Sequence, residues 1–242
     1  MKKILTIVIA ALFTTLAFTG CDWGTKSNPG TSVDYSVCVI GDFILNDGSI
    51  LSKDTELTDT QKANVVAVIV RAADSENSIS ALGVGLKQSG YLAWCTTSAD
   101  GYEKIEPLMQ SSGYTDGSDS WSILQSVCSD ATEENAATLY PAFNYCLTYA
   151  STNNLTESMA SGWYFLTISE LVTIYNNKST INESLAKVDG DQFDTSNEYW
   201  CCSQYDGNKN SAFVQKFSSD ASVSGYKYNS SAMRVCCVRA FN

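Results

Sequence analysis

The chain has 242 residues, a formal net charge of −11 and no histidine, and 44% of its side chains are hydrophobic. That length supports one sizeable core and one or two domains. The missing histidine excludes His-based triads, His general bases and the usual catalytic zinc sites, and so acidic a chain repels DNA, RNA, sulfated glycans and anionic lipid heads.

Lys2 and Lys3 precede an apolar run over 4–18, followed by Thr19-Gly20-Cys21. A basic start, a short apolar stretch and small residues before a cleavage point make residues 1–20 a secretory signal peptide. The run is shorter than the about 20 residues a membrane span needs. Phe18-Thr19-Gly20-Cys21 resembles the lipobox of bacterial lipoproteins, with Phe18 where Leu is usual. The resemblance implies that Cys21 takes a diacylglyceryl thioether and becomes the mature N-terminus. Residues 21–34 are rich in Gly, Ser, Asn and Pro and read as a flexible tether. The expected location is the bacterial cell envelope, at the outer membrane or cell surface rather than the inner membrane, with the lipid as the sole membrane attachment.

Eight cysteines follow Cys21: Cys38, Cys95, Cys128, Cys146, Cys201, Cys202, Cys236 and Cys237. Buried thiols and disulfides both remain open, since eight cysteines allow on the order of a hundred pairings. No CxxC occurs, so neither a zinc ribbon nor another metal site is expected. Neighbours on a strand face opposite ways, so one cysteine of each doublet is expected in the core.

In chain order, the apolar run over 37–45, the turn Asn46-Asp47-Gly48-Ser49 and Ile50-Leu51 predict a hairpin. Residues 54–64 are polar and hold at most a short turn. Asn64 to Arg71 (NVVAVIVR) reads as a buried strand, 79–86 as a second buried segment, and 91–95 as a short strand. Gly83 and Gly85 lack any phosphate-loop context and receive no ligand role. Helical spacing follows over 118–128, then over 131–150 with a break expected near Tyr140 because of Pro141. Trp163 to Leu166 enters a helix over 168–176, where Thr167 and Glu170 form a capping box. Thr180 and Glu183 repeat the box before a helix over 181–188.

Three further strands are expected at 199–202, 212–217 and 233–241. The residues between them are mostly Ser, Asn, Asp, Gly, Lys and Tyr, too polar to be buried. Asp206-Gly207 and Ser224-Gly225 read as turns. If the chain binds a ligand, the expected site is Tyr205, Asp206, Asn208, Lys209, Asn210, Tyr226, Tyr228 and Asn229. Tyr and Asn combine contact area with adaptable hydrogen bonding. The polar segment over 98–120 is the second choice.

Gly162 to Leu171 (GWYFLTISEL), Tyr175 to Lys178 (YNNK), Tyr199-Trp200 and Val238 to Phe241 (VRAF) together resemble the bacterial DUF1566 proteins, related to the C-terminal domain of the Legionella collagen-like adhesin. Leu166 stands where that family usually has Pro, and Cys201-Cys202 where it usually has Ser. The resemblance implies, over 35–242, an α+β domain of C-type-lectin-like fold with paired N- and C-terminal strands, two or more helices and long displayed loops. It also implies a non-catalytic, adhesin-like or variable-binder-like role. The calcium-lectin signatures Glu-Pro-Asn and Trp-Asn-Asp are absent. The expected partner is a protein or glycan ligand, with no cofactor and no nucleic acid. Two alternatives stand beside this: a structural envelope protein packed on a partner through an apolar patch, and an enzyme like the formylglycine-generating enzymes, using its cysteines.

Overall fold

The computed structural model of the protein describes residues 33–104, 109–110 and 113–242. The signal segment, Cys21 and nearly all of the tether lie outside the described residues. Among the described residues ten strands are formed: β1 (Phe43–Leu45), β2 (Ile50–Leu51), β3 (Val65–Arg71), β4 (Ala81–Gln88), β5 (Trp163–Phe165), β6 (Glu198–Gln204), β7 (Ser211–Lys216), β8 (Ala221–Tyr226), β9 (Met233–Arg234) and β10 (Cys236–Phe241). The helices are α1 (Asp59–Asn64), α2 (Ser120–Val127), α3 (Glu133–Leu139), α4 (Pro141–Leu147), α5 (Tyr149–Thr152), α6 (Ile168–Asn176) and α7 (Lys178–Lys187). The class is α+β, as expected.

Six strands form one sheet in the order β2-β1-β3-β4-β10-β5, antiparallel throughout. A second sheet has the order β8-β7-β6-β9, and its β6–β9 pair is parallel. The C-terminal run joins the two. Met233 and Arg234 pair with β6, the chain switches sheets at Val235, and Cys236 to Phe241 pair with β4 and β5. At the switch, Val235 N–H donates to Ser89 Oγ at 2.7 Å, and Ser89 N–H donates to the Val235 carbonyl at 2.9 Å. The first and last strands share a sheet, but β3 and β4 stand between them, so the expected direct pairing of β1 with β10 is not formed. β3 and β4, neighbours along the chain, pair with each other, and β10 pairs with the other edge of β4.

β3 is buried at six consecutive positions, Val65 to Val70. Both faces of the sheet are therefore covered there, with α6 and α7 packed against it, which is why its sequence is continuously apolar instead of alternating. The reading of the doublets is corrected as well: Cys201, Cys202, Cys236 and Cys237 are all fully buried. Gly85 on β4 permits the close approach of Tyr149; a Cβ there would fall inside the phenol. Trp94, Trp200, Tyr140, Tyr149, Tyr199 and Phe43 are the largest fully buried side chains among the described residues.

Local signals held where they were strongest. Thr167 caps α6, with Glu170 returning the bond to its backbone, and the helical spacing over 131–150 breaks at Tyr140 with Pro141 opening α4. Other segments differ. α7 begins at Lys178, sharing Asn177 with the end of α6, so the Thr180–Glu183 box is not used. The segment read as a polar turn contains α1, with a Thr58–Gln61 capping box. Trp163 to Phe165 is an edge strand and not a helix entrance. Residues 91–95 form no strand; their amides reach Met233 and Lys227 carbonyls irregularly. The start of the first predicted strand is instead a 3-10 turn at Tyr35–Val37, followed by a turn closed by the buried Asp42 carboxylate, which accepts from Val39 and Lys53 N–H, each at 3.0 Å. Ser224-Gly225 lies inside β8, which pairs with β7 along its whole length.

Candidate functional site

β8 reads Ala-Ser-Val-Ser-Gly-Tyr, and its half-buried and exposed positions alternate. Val223 and Gly225 face inward, and a Cβ on Gly225 would press on the Trp200 ring at 2.8 Å. Ser222, Ser224 and Tyr226 face out. The alternation continues past the strand, so Lys227 turns inward and Tyr228 outward. Tyr226 and Tyr228 are 55% and 49% exposed, and their rings stack with centroids 5.8 Å apart. Tyr102 meets Tyr228 edge-on at 6.1 Å. Three phenols thus stand together on one surface.

Lys227 is what fixes them. It is fully buried, yet no carboxylate is within ion-pair reach among the described residues. Its Nζ donates to the Gly101 carbonyl at 2.7 Å, Gln204 Oε1 at 2.9 Å and the Lys104 carbonyl at 3.1 Å. It also lies 4.8 Å from the Trp94 ring centre, within cation–π range. Burial pushes its ammonium down to about 8, nearby Cys95 opposing the shift. Its backbone N–H donates to the Asn210 carbonyl at 2.9 Å and its carbonyl accepts from Trp94 N–H at 2.8 Å. One residue therefore ties together the 99–104 turn, the end of β6, the β6–β7 loop and the 91–95 segment.

The predicted residues divide by role. Asn208 Oδ1 accepts from Asn210 N–H at 3.0 Å, and Asn229 Oδ1 accepts from Ser231 N–H at 3.0 Å, so both asparagines shape their own turns. Asn210 is half-buried with its Oδ1 unpartnered. Lys209 pairs with Glu103 at 3.0 Å, both half-exposed or more; such a pair contributes about 0–1 kcal/mol. Asp206 is exposed at the tip of the β6–β7 loop. Tyr205 is not displayed as the other two are: it is half-buried, edge-on to Phe213 at 5.1 Å, with its ring over Gly207. The structure brings the second-choice segment to the same place, since Tyr102 and Glu103 touch the C-terminal loops.

Beside Tyr228 a cleft of about 410 Å³ is lined by Tyr91, Thr96, Thr97, Pro141 and Ser230 among others. Among the described residues no charged side chain lines it. Tyr91 is 50% exposed at its rim, with the Arg234 guanidinium 5.7 Å from its ring. Hydroxyls beside phenol faces suit a neutral, polar ligand. A second cleft, about 300 Å³ at Asn46, Gln61 and Glu157, contains no residue expected from the sequence to bind. Tyr91 and Lys227 lie outside the residues expected to bind, and Tyr102 belongs to the second-choice segment. Lys227 falls in the stretch expected to be too polar for burial, and its full burial corrects that expectation; Tyr91 and Tyr102 reach the site only because loops meet in space.

No family model and no curated protein matches the chain. Among solved structures it is similar to a fimbrial protein from Bacteroides ovatus, with a TM-score of 0.61 and 17% identity. The match covers 84% of this chain and 49% of that one, so the chain spans about half the length of that protein. At this identity the likeness is one of fold. Among the described residues no helix is long and apolar enough to cross a membrane.

Proposed function

We propose that the chain is a non-catalytic binding protein of the bacterial cell envelope, held by an acylated Cys21, whose Tyr226–Tyr228 surface engages a protein or glycan ligand. The observation that carries this is the exposure of both rings on a backbone locked from beneath by buried Lys227. Exposed tyrosines fixed on a rigid base offer contact area with little ordering cost. The fold likeness to a fimbrial protein and the motifs resembling DUF1566 proteins both fit a surface role. The neutral, hydroxyl-lined cleft beside Tyr228 favours ligands without strong charge.

A glycan and protein array probed with the full chain in detergent tests the reading. Tyr226→Ser with Tyr228→Ser should fold with nearly unchanged stability, because exposed substitutions shift it by about 0.5 kcal/mol or less each, and should lose affinity for any hit. A double variant that binds normally would place the site elsewhere.

A further inference from the structure

Cys146 on α4 and Cys237 on β10 bring their sulfurs to 2.7 Å. Non-bonded carbons rest at about 3.5–4.0 Å, and sulfur is larger than carbon. The two sulfurs therefore lie inside any packing distance, under about 1 Å from the bond length of about 2.05 Å. Their elements are positioned for this: α4 packs across β5 and β10, and Cys146 Sγ lies 4.0 Å from the Cys236 carbonyl. The register of β10 against β4 shifts between Cys236 and Val238, while Cys237 stays opposite Phe165 on β5. Irregular pairing of this kind re-aims a side chain. Cys201 contrasts with the pair, its thiol directed at the Phe213 carbonyl at 3.4 Å.

We propose that Cys146 and Cys237 form a disulfide in the exported protein, stapling α4 to the C-terminal strand across 91 positions of chain. The inference rests on the export half of the proposed function, because disulfides persist in oxidising compartments, and not on ligand binding. The co-reactant is a disulfide donor. One cysteine thiolate attacks the donor's S–S bond, expelling one donor thiol and leaving a mixed disulfide. The second cysteine then attacks that mixed disulfide and expels the other donor thiol. The pair loses two electrons and two protons, and the donor is reduced to two thiols. Burial holds the Cys237 thiol well above its ordinary range, so thiolate is scarce once α4 has docked. The bond is made during folding, and the folded reduced protein resists the same donor.

The full chain is unfolded and reduced, then refolded with oxidised and reduced glutathione, quenched with iodoacetamide and digested without reductant. The expected result is the Cys146 peptide linked to the Cys237 peptide, absent when the glutathione is added only after refolding. Reduction should lower the Tm of the oxidised chain by about 5–15 °C, and the Cys146→Ala, Cys237→Ala double variant should show no such response. Recovery of both cysteines alkylated after oxidative refolding, or linkage of either to another cysteine, overturns the proposal. The peptide map uses the unaltered chain, so it decides even if the variant does not fold.

Discussion

Replacing Lys227 by Met keeps the length of the side chain and removes the cation beneath the tyrosine pair. Two effects oppose each other. The ammonium is pushed from an ordinary 10.5 to about 8, which at about 1.36 kcal/mol per pH unit is a burial penalty of about 3 kcal/mol below pH 8. Methionine relieves that penalty. It also takes the donor from three close acceptors, Gly101 O, Gln204 Oε1 and Lys104 O at 2.7, 2.9 and 3.1 Å, and from the more distant Tyr102 O at 3.4 Å. Each stranded buried acceptor costs about 1–3 kcal/mol, so the net loss centres on about 3 kcal/mol. For a chain of this size that corresponds to a fall in Tm of roughly 6–12 °C. The pH dependence separates this account from a simple packing loss. Below pH 8 folded and unfolded chains both carry the proton. Between pH 8 and 10.5 the unfolded chain holds a proton that the folded one has released, so stability rises with pH. The rise is about 2–3 kcal/mol by pH 10, where ionisation of unfolded tyrosines begins to oppose it. Urea denaturation of both proteins at several pH values, with hydrogen exchange at residues 100–104, reads all of this. A variant at least as stable as the parent at pH 7, or one that keeps the alkaline rise, would refute the reasoning.

Gly85→Ala should cost about 1–3 kcal/mol in thermal melts, because Tyr149 cannot yield: its hydroxyl accepts from Lys87 N–H at 3.1 Å and its ring meets Trp163 at 4.7 Å. Burial raises the Glu170 carboxyl above its ordinary 4.5, so the folded chain keeps a proton the unfolded chain has lost. Glu170 therefore contributes most below pH 4.5 and less as pH rises through the folded value; Glu170→Gln should flatten that slope in acid denaturation, whereas Glu170→Ala, which strands Tyr164 and Thr167 donors, should cost about 3 kcal/mol. Cys21→Ser should give an unprocessed precursor or release the protein to the soluble fraction on cell fractionation; a variant still processed and membrane-bound would refute the lipid anchor.

What the sequence determined by itself is whatever neighbours along the chain decide. The Thr167–Glu170 box closes within one turn of backbone, Pro141 breaks a helix wherever the rest of the chain lies, and the unbroken apolar run over 65–70 demands cover on both faces. Tertiary structure alone decided which strand receives the C-terminus, because β4 and β1 offer equally plausible edges to local pattern and only the packed sheet leaves β4 free. It decided that Ser224-Gly225 continues a strand, since β7 supplies the ladder and Trp200 leaves no room for a Cβ at Gly225. It decided that both members of each cysteine doublet are buried and that Cys146 meets Cys237 from 91 positions away. And it decided that Lys227 is tolerated inside, because the carbonyls that hold it come from residues 101, 104 and 204, more than twenty positions distant, and converge only when the loops have folded over Trp94.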